Sequence, residues 1–348
     1  MSESINMAAI IRYLRALPII NNWRSSHSYP LNVFQVTLRR YARKVDDKPL
    51  IAQRIKRLSS ITHKLHRFPD MKLSQMQDIG GCRAVVRSIG ATRQLASLYE
   101  RSNIKHERAS FDDYISMPKA SGYRGIHLVY RYYSDKNKIE YNGLKIEVQL
   151  RSQYMHAWAT AVETVGTFVQ QALKSSIGED EWLRFFALMG TAIAVREKSE
   201  IVPGTPSESK ELLEELKYYA ERLDVENRLR AYGAAMQTIR GEQGDISLID
   251  DAHYYLLVLD TDVKQLTISA YPQSQFDEAS TAYLQAEERT KNKVGTDAVL
   301  VSVDSLAALE RAYPNYFADT RVFLKLMDQA LSGKRRRVNP PQLKFPFV

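Results

Sequence analysis

Cysteine is almost missing from this chain: Cys82 is the single one in 348 residues. An intramolecular disulfide is therefore excluded, and a reducing compartment suits such a chain. A structural zinc site needs four Cys or His ligands. Beyond residue 200 there is no cysteine and one histidine, His253, so zinc is excluded there. Long apolar runs are also lacking. None approaches the roughly 20 residues of a membrane span. Arg12 and Arg15 interrupt the short apolar stretch near the N-terminus, which removes a secretory pattern. The expectation is a cytoplasmic protein with no membrane partner.

What is present is ordinary in bulk and uneven in charge. Hydrophobic residues make up 44% and charged residues 26% of the chain, as in soluble proteins generally. The net charge is +9. Residues 201–348 hold 18 Lys and Arg against 22 Asp and Glu, which leaves 31 against 18 in residues 1–200. A basic first part suits a polyanionic ligand, and an acidic second part could dock against it. The length allows two domains.

The hydrophobic pattern predicts amphipathic helices over 5–17 and 31–44, the second carrying Arg39, Arg40, Arg43 and Lys44. Residues 50–65 read as a third helix, with Ile51, Ile55, Leu58, Ile61 and Leu65 at helical spacing. Arg54, Lys56, Arg57, Ser60 and Lys64 lie among them. A buried strand is expected at 82–87, a helix at 91–102, paired strands at 125–133 and 144–151, and helices at 154–171 and 181–198. Strands interleaved with helices give an α/β (α+β) mixed-sheet domain over residues 1–200. Val202-Pro203-Gly204-Thr205-Pro206-Ser207 reads as a linker. Ser207 is the expected cap of a helical region that runs to about 240, with a break near Gly233. Residues 201–251 form this helical linker. Residues 252–331 predict a small ββαβα module, and 332–348 a basic tail containing Lys334-Arg335-Arg336-Arg337.

Three features carry chemistry. The stretch from Asp112 to His127 has loop composition and holds Lys119, Tyr123, Arg124 and His127, two cations, a ring and an imidazole suited to a phosphorylated, stackable ligand. Asp78 sits where the chain enters a strand. Strand alternation puts Glu147 on one face with Lys145, Gln149 and Arg151, away from Ile146, Val148 and Leu150. If Asp78 lies on an adjacent strand, the two acids can share a Mg²⁺, which takes one or two carboxylates plus substrate phosphates.

Four motifs in order resemble the synthetase domain of the RelA/SpoT homologue family. They are Arg54-x-Lys56-Arg57-x-x-Ser60-x-x-x-Lys64, Asp78-Ile79-x-Gly81-x-Arg83, Asp113-Tyr114-Ile115-x-x-Pro118-Lys119-x-x-Gly122-Tyr123-Arg124-x-x-His127, and Glu147-Val148-Gln149-Leu150-Arg151. The resemblance implies a nucleotidyltransferase-like sheet flanked by helices and transfer of the β,γ-diphosphate of ATP to a ribose 3′-hydroxyl. It assigns Arg54, Lys56, Arg57, Ser60 and Lys64 to ATP, Asp78 and Glu147 to Mg²⁺, and Arg83 to phosphate. Glu147 is also implied as the base for the attacking hydroxyl. Tyr123 becomes the platform for the acceptor base, with Lys119, Arg124, His127 and Gln149 around it. Ser121 and Gly125 depart from the pattern of members that use GDP or GTP.

The arrangement of a small synthetase followed by a ββαβα module also resembles the fused toxin–antitoxin branch of that family, the CapRel proteins. The likeness implies a pseudo-zinc-finger domain and a Tyr-x-x-Tyr element, here Tyr313-Pro314-Asn315-Tyr316, that blocks adenine binding. It further implies a toxin that modifies the 3′ CCA end of tRNA and is released when a phage protein, such as a capsid protein, binds the C-terminal domain. Arg39, Arg40, Arg43 and Lys44 are then the candidate tRNA contacts. A small alarmone synthetase making (p)ppGpp or (p)ppApp is the alternative.

Overall fold

The computed structural model describes residues 7–172, 179–241, 252–260, 265–290, 296–303, 306–313 and 319–332. Eleven helices and eight strands lie within them. The first half runs α1 (Met7–Ser26), α2 (Ser28–Ala42), β1 (Leu50–Ile55), α3 (Leu58–Arg67), β2 (Gly80–Val86) and α4 (Ile89–Glu100). It continues through β3 (Glu107–Asp113), β4 (Ile126–Arg131), β5 (Lys145–Ser152), α5 (Gln153–Ala172) and α6 (Glu179–Glu197). Then come α7 (Ser209–Arg222), α8 (Val225–Gly241), β6 (Ala252–Asp260), β7 (Gln265–Pro272), α9 (Phe276–Thr290), β8 (Thr296–Ser302), α10 (Leu306–Ala312) and α11 (Arg321–Leu331). No helix among the described residues is long and apolar enough to cross a membrane.

All eight strands join one sheet in the order β3-β4-β5-β2-β1-β8-β6-β7. Only β2 and β5 pair in parallel; the other neighbours are antiparallel. The expected mixed α/β architecture is therefore present. The ββαβα order of residues 252–312 is present too, but its strands do not form a separate sheet. β8 pairs with β1 through Gln53↔Ser302 and Arg54↔Val301. The C-terminal strands thus extend the sheet that carries the site. Among the described residues no zinc-finger-like body stands apart.

Side chains alternate between the two faces of the sheet. One face is the main core. Cys82, Ala84 and Val86 of β2, Ile146, Val148 and Leu150 of β5, and Leu128 and Tyr130 of β4 meet Leu31, Phe34 and Leu38 of α2 and Leu95 of α4. Further along that face, Leu256 and Ala298 pack on Tyr283 and Ala286 of α9. On the other face, Ala52 of β1 joins Val299 and Val301 of β8 and Leu257 of β6 beneath Leu309, Ala312 and Tyr313. Between that cluster and α5 and α6 the polar ends of β1, β2, β4 and β5 are left as a cleft.

Two sequence expectations are corrected. Residues 50–55 are strand, not the first half of a helix. Leu50, Ile51, Ala52 and Ile55 fit either period over six residues. Pairing with β2 on one side and β8 on the other decides for extended backbone, because a long-range ladder outweighs a weak local preference. The helical break expected near Gly233 falls instead at Leu223–Asp224, where Asp224 takes φ 47°. Residues 107–113, unassigned from sequence, form the edge strand β3, so the Asp112–His127 stretch begins inside a strand.

Candidate active site

Two adjoining pockets lie on the polar face. The first is lined by Ala52, Arg54, Lys56, Gly81, Arg83, Glu163 and Tyr313, among others. The second is lined by Lys64, Gln77, Asp112, Tyr114, Lys119, Tyr123, His127 and Val129. Asp78, Glu147, Gln149 and Arg151 belong to both. The parallel pairing of β2 with β5 sets Gly81 opposite Glu147 and Arg83 opposite Gln149.

Both acids are held ionised. Burial works against the Asp78 carboxylate, but Lys56 and Lys64 overcome it and hold its pKa below the usual value. Lys56 Nζ lies 2.6 Å from Asp78 Oδ2, and Lys64 Nζ 3.0 Å from Oδ1. Burial likewise opposes Glu147. The hydrogen bond and charge of His127 and a bond from Gln149 outweigh it, so its pKa is also lowered. His127 Nδ1 is 2.9 Å from Glu147 Oε1, and Gln149 Nε2 donates to Oε2 at 2.7 Å.

His127 passes this contact on to the aromatic platform. Its other ring nitrogen, Nε2, lies 2.5 Å from the Tyr123 hydroxyl oxygen. Arg151 Nη2 donates to the same hydroxyl at 3.1 Å and to Gln149 Oε1 at 3.1 Å. Its guanidinium carbon stands 5.2 Å from the Tyr123 ring centroid. Lys119 Nζ lies 4.1 Å from the Tyr114 ring centroid and 5.5 Å from that of Tyr123. Lys119 is thus held against the rings by cation–π attraction.

The loop that presents Tyr123 is anchored at both ends. Asp113 Oδ1 accepts from the backbone N–H groups of Ile115 and Ser116, at 2.9 and 3.0 Å, and Arg93 of α4 holds its other oxygen at 3.0 Å. Gly122 adopts φ +93° against α6, where a Cβ would meet the Phe186 carbonyl oxygen at 2.7 Å. Only glycine suits that crowded left-handed position. Trp158 Nε1 donates to the same carbonyl at 2.9 Å.

The structure gathers most of the sequence-predicted site and leaves some residues out. Arg54, Lys56, Asp78, Arg83, Glu147 and Gln149 surround the first pocket, and Lys64, Lys119, Tyr123 and His127 line the second. Arg57 stands at the N-cap position of α3 and Ser60 in its first turn; neither lines these two pockets. Arg124 is corrected outright. Arg124 is 3% exposed and turned away from the second pocket to Glu197 Oε2 at 3.2 Å and Ser199 Oγ at 2.9 Å. It fastens the loop to the end of α6. Arg39, Arg40, Arg43 and Lys44 lie at the end of α2, the helix that covers the opposite face of the sheet. They do not border the cleft. Tyr313 reaches the first pocket, whereas Tyr316 and residues 334–337 lie outside the described residues.

Residues 53–167 match the family model described as "Region found in RelA / SpoT proteins". The match runs from β1 into α5 and so includes every strand around the cleft. A GTP pyrophosphokinase of Haemophilus influenzae is 26% identical over 145 residues, covering 42% of this chain and 18% of that protein. The GTP pyrophosphokinase YjbM of Bacillus subtilis is 32% identical over 122 residues, covering 33% of this chain and 56% of the relative. The chain thus spans little more than half the length of one and under a fifth of the other. Among solved structures, small alarmone synthetase 1 of Bacillus subtilis bound to its product pppGpp is 26% identical. That likeness covers 33% of this chain and 61% of that one, with a TM-score of 0.30.

Sequence reading missed Glu163, Asp112, Tyr114, Gln77 and the bridging role of Arg151. Arg151 carried a signal: alternation along β5 already put it on the face of Glu147. Glu163 carried none, since it comes from the middle of α5 and reaches the first pocket only through the packing of that helix beside β2 and β5.

Proposed function

We propose that this chain transfers the β,γ-diphosphate of ATP to a ribose 3′-hydroxyl. The carrying observation is the shared carboxylate wall. Asp78 and Glu147 border a cation-rich pocket on one side and an aromatic pocket on the other. Transfer of a phosphoryl-type group needs donor and acceptor in line, with charge stabilisation between them, more than covalent catalysis. The first pocket, with Arg54, Lys56 and Arg83, takes the donor. The second, with Tyr123 and Lys119, takes the acceptor, and stacking there supplies about 1–3 kcal/mol. Glu147 is within reach of both and is the base for the attacking hydroxyl, oriented by His127 and Gln149.

Mg²⁺ fits the donor set. Asp78 and Glu147 offer hard oxygens, both are ionised, and both line the two pockets. Bound there, the ion would neutralise charge on the migrating diphosphate. Lys56 and Lys64, which now neutralise Asp78, are free to turn to phosphate oxygens.

The donor pocket is closed by the chain itself. The Tyr313 hydroxyl donates to the Gln53 carbonyl at 3.0 Å, and its ring centroid lies 5.4 Å from the Arg83 guanidinium carbon. Tyr313 is 3% exposed. This supports an autoinhibited enzyme that works only after the C-terminal part lifts away. For the acceptor we favour the 3′ CCA end of tRNA, with a phage protein as the trigger, because the net basic charge of residues 1–200 suits RNA and Ser121 and Gly125 depart from the GDP/GTP-using pattern. The names of the relatives favour a second reading, a free guanosine nucleotide as acceptor.

The experiment is incubation of a Tyr313→Ala chain with γ-labelled ATP and either tRNA, GDP, GTP or AMP. Label on tRNA is the expected result. Label confined to free nucleotides would replace tRNA by the second reading, and no label on any acceptor would remove the activity.

A further inference from the structure

Lys56 and Lys64, the two cations on Asp78, stand on either side of a sharp bend. β1 ends at Ile55 and α3 begins at Leu58. Arg57 holds the N-cap position of α3 with extended backbone, and its side chain makes no capping bond. The first turn of α3 carries no acidic residue either. A helix start of this kind leaves backbone N–H groups that need acceptors from elsewhere.

The acceptor comes from α9. Glu287 Oε1 takes the Leu58 N–H at 2.5 Å. Arg24 of α1 grips both oxygens of that carboxylate, Nη1 to Oε2 at 2.8 Å and Nη2 to Oε1 at 3.2 Å. Its Nε donates to the Lys56 carbonyl at 3.0 Å. On the other side of the same residue, the Lys56 N–H donates to the carbonyl of Ile79, the neighbour of Asp78, at 2.7 Å. The Tyr283 hydroxyl accepts from Arg24 Nη2 and donates to Glu287 Oε1, both at 2.8 Å. Arg24 is 2% and Glu287 7% exposed. Burying such a pair is costly, and apolar residues of similar volume would join two elements equally well. What the ion pair adds is direction. Its planar, bidentate geometry sets the Lys56 carbonyl and the Leu58 N–H in fixed places.

We propose that Glu287 and Arg24 are positioning residues for the transfer site: they fix the bend between β1 and α3 so that Lys56 and Lys64 converge on Asp78. Lys56 Nζ then lies 2.6 Å from one carboxylate oxygen and Lys64 Nζ 3.0 Å from the other. This rests on the reading of the chain as a diphosphotransferase. Neither Glu287 nor Arg24 lines the two pockets, so both act through the backbone of residues 56–58. The C-terminal part thereby has two opposed effects on the donor half. The end of α10 covers it, and α9 shapes it from the other face of the sheet.

The test is NMR of the full chain with lysine labelled at the ε-carbon, the Lys56 and Lys64 signals being assigned with Lys56→Arg and Lys64→Arg. Glu287→Ala should move both signals. Arg124→Ala, which breaks a buried ion pair away from the bend, should leave them in place. Unmoved signals in folded Glu287→Ala overturn the proposal, as does an equal movement in Arg124→Ala. Should Glu287→Ala not fold, Glu287→Gln decides by the same signals, since it keeps an oxygen for the Leu58 N–H and loses only the charge facing Arg24. Diphosphate transfer is then followed in a Tyr313→Ala background. Glu287→Ala should slow it up to roughly a hundredfold, the effect of misplacing a reacting group by about an ångström, and Glu287→Gln should recover part of the loss. Moved signals with an unchanged rate of transfer overturn the positioning role. Moved signals without transfer in any chain, the parent included, would keep the hold on the lysines and remove the enzymatic reading.

Discussion

The two halves of the cleft share four residues and differ in what covers them. The acceptor half is open, its rings and Lys119 facing solvent beside Asp78 and Glu147. The donor half is roofed by Tyr313 and the end of α10. A second contact ties the same C-terminal part to the donor side from the opposite face. Glu287 of α9 accepts from Arg24 Nη1 at 2.8 Å and from the backbone N–H of Leu58, at the start of α3, at 2.5 Å. Tyr283 and the Lys56 carbonyl complete that buried network at 2.8 and 3.0 Å from Arg24. The first turn of α3 has no acidic residue of its own, so a carboxylate 229 positions away satisfies its end. One half is therefore covered by contacts from distant chain, and the other lies open.

The largest effect should come from the wall the halves share. Glu147→Gln in a Tyr313→Ala background should slow transfer by roughly 10²–10⁴, the usual worth of a general base. A rate within a factor of ten of the parent would take the base role from Glu147. Arg124→Ala should act on the acceptor half. Removing one member of a buried ion pair costs about 3–5 kcal/mol, so urea unfolding should show the chain destabilised by that order. ATP binding in the opened chain should be unaffected, and an equal loss on both sides would mean that Arg124 serves the whole sheet.

Acid should weaken the donor half. His27 donates Nδ1–H to the Trp23 carbonyl at 2.7 Å, and burial lowers its pKa from 6.5 to about 4. His156 is shifted the same way. The unfolded chain takes up these protons near pH 6.5 and the folded chain does not, so stability falls as pH drops from 6.5 toward 4. For His27 the loss is on the order of 3 kcal/mol across that window. Asp78 and Glu147 act with the same sign in a lower window: their stabilisation is complete above about 4.5 and is lost as pH falls below it. Denaturant titrations at pH 7 and 5 should therefore differ, and His27→Gln should narrow the gap; identical curves for the parent chain would contradict this.

Tyr313→Ala should raise ATP affinity roughly hundredfold, given the cost of truncating a buried aromatic residue, while leaving nucleotide binding in the acceptor half within about twofold. Calorimetry with each ligand separates the two. The smallest effect expected is that of Lys119→Ala. Loss of a partly exposed cation–π contact of about 0.5–1 kcal/mol should weaken acceptor binding a few-fold and leave ATP binding alone.

The site residues were largely legible because their types are unusual where they stand. Alternation along β5 already put Glu147, Gln149 and Arg151 on one face, and the loop composition marked Tyr123 and His127. The helix assumed for residues 50–65 failed in its first half because six residues cannot fix their own period. Arg124 failed for a different reason. A charged residue beside two functional ones reads as functional, and only the path of the loop decides that it turns inward to Glu197. Glu163 and Glu287 gave no signal, since each acts through an element distant in the chain.

By itself, the sequence determined the residue chemistry: the ionisable pairs, the aromatic platform, the strand faces and the mixed α/β pattern. These follow from side-chain type and local period, which neighbours in the chain settle. Tertiary structure alone decided that β8 pairs with β1, that the C-terminal strands complete the sheet of the site, and that Tyr313 and the α10 carbonyls lie over Arg83. Those contacts join residues more than 200 positions apart. Local preference has no bearing on such pairings; the burial and hydrogen bonding of the whole sheet select them.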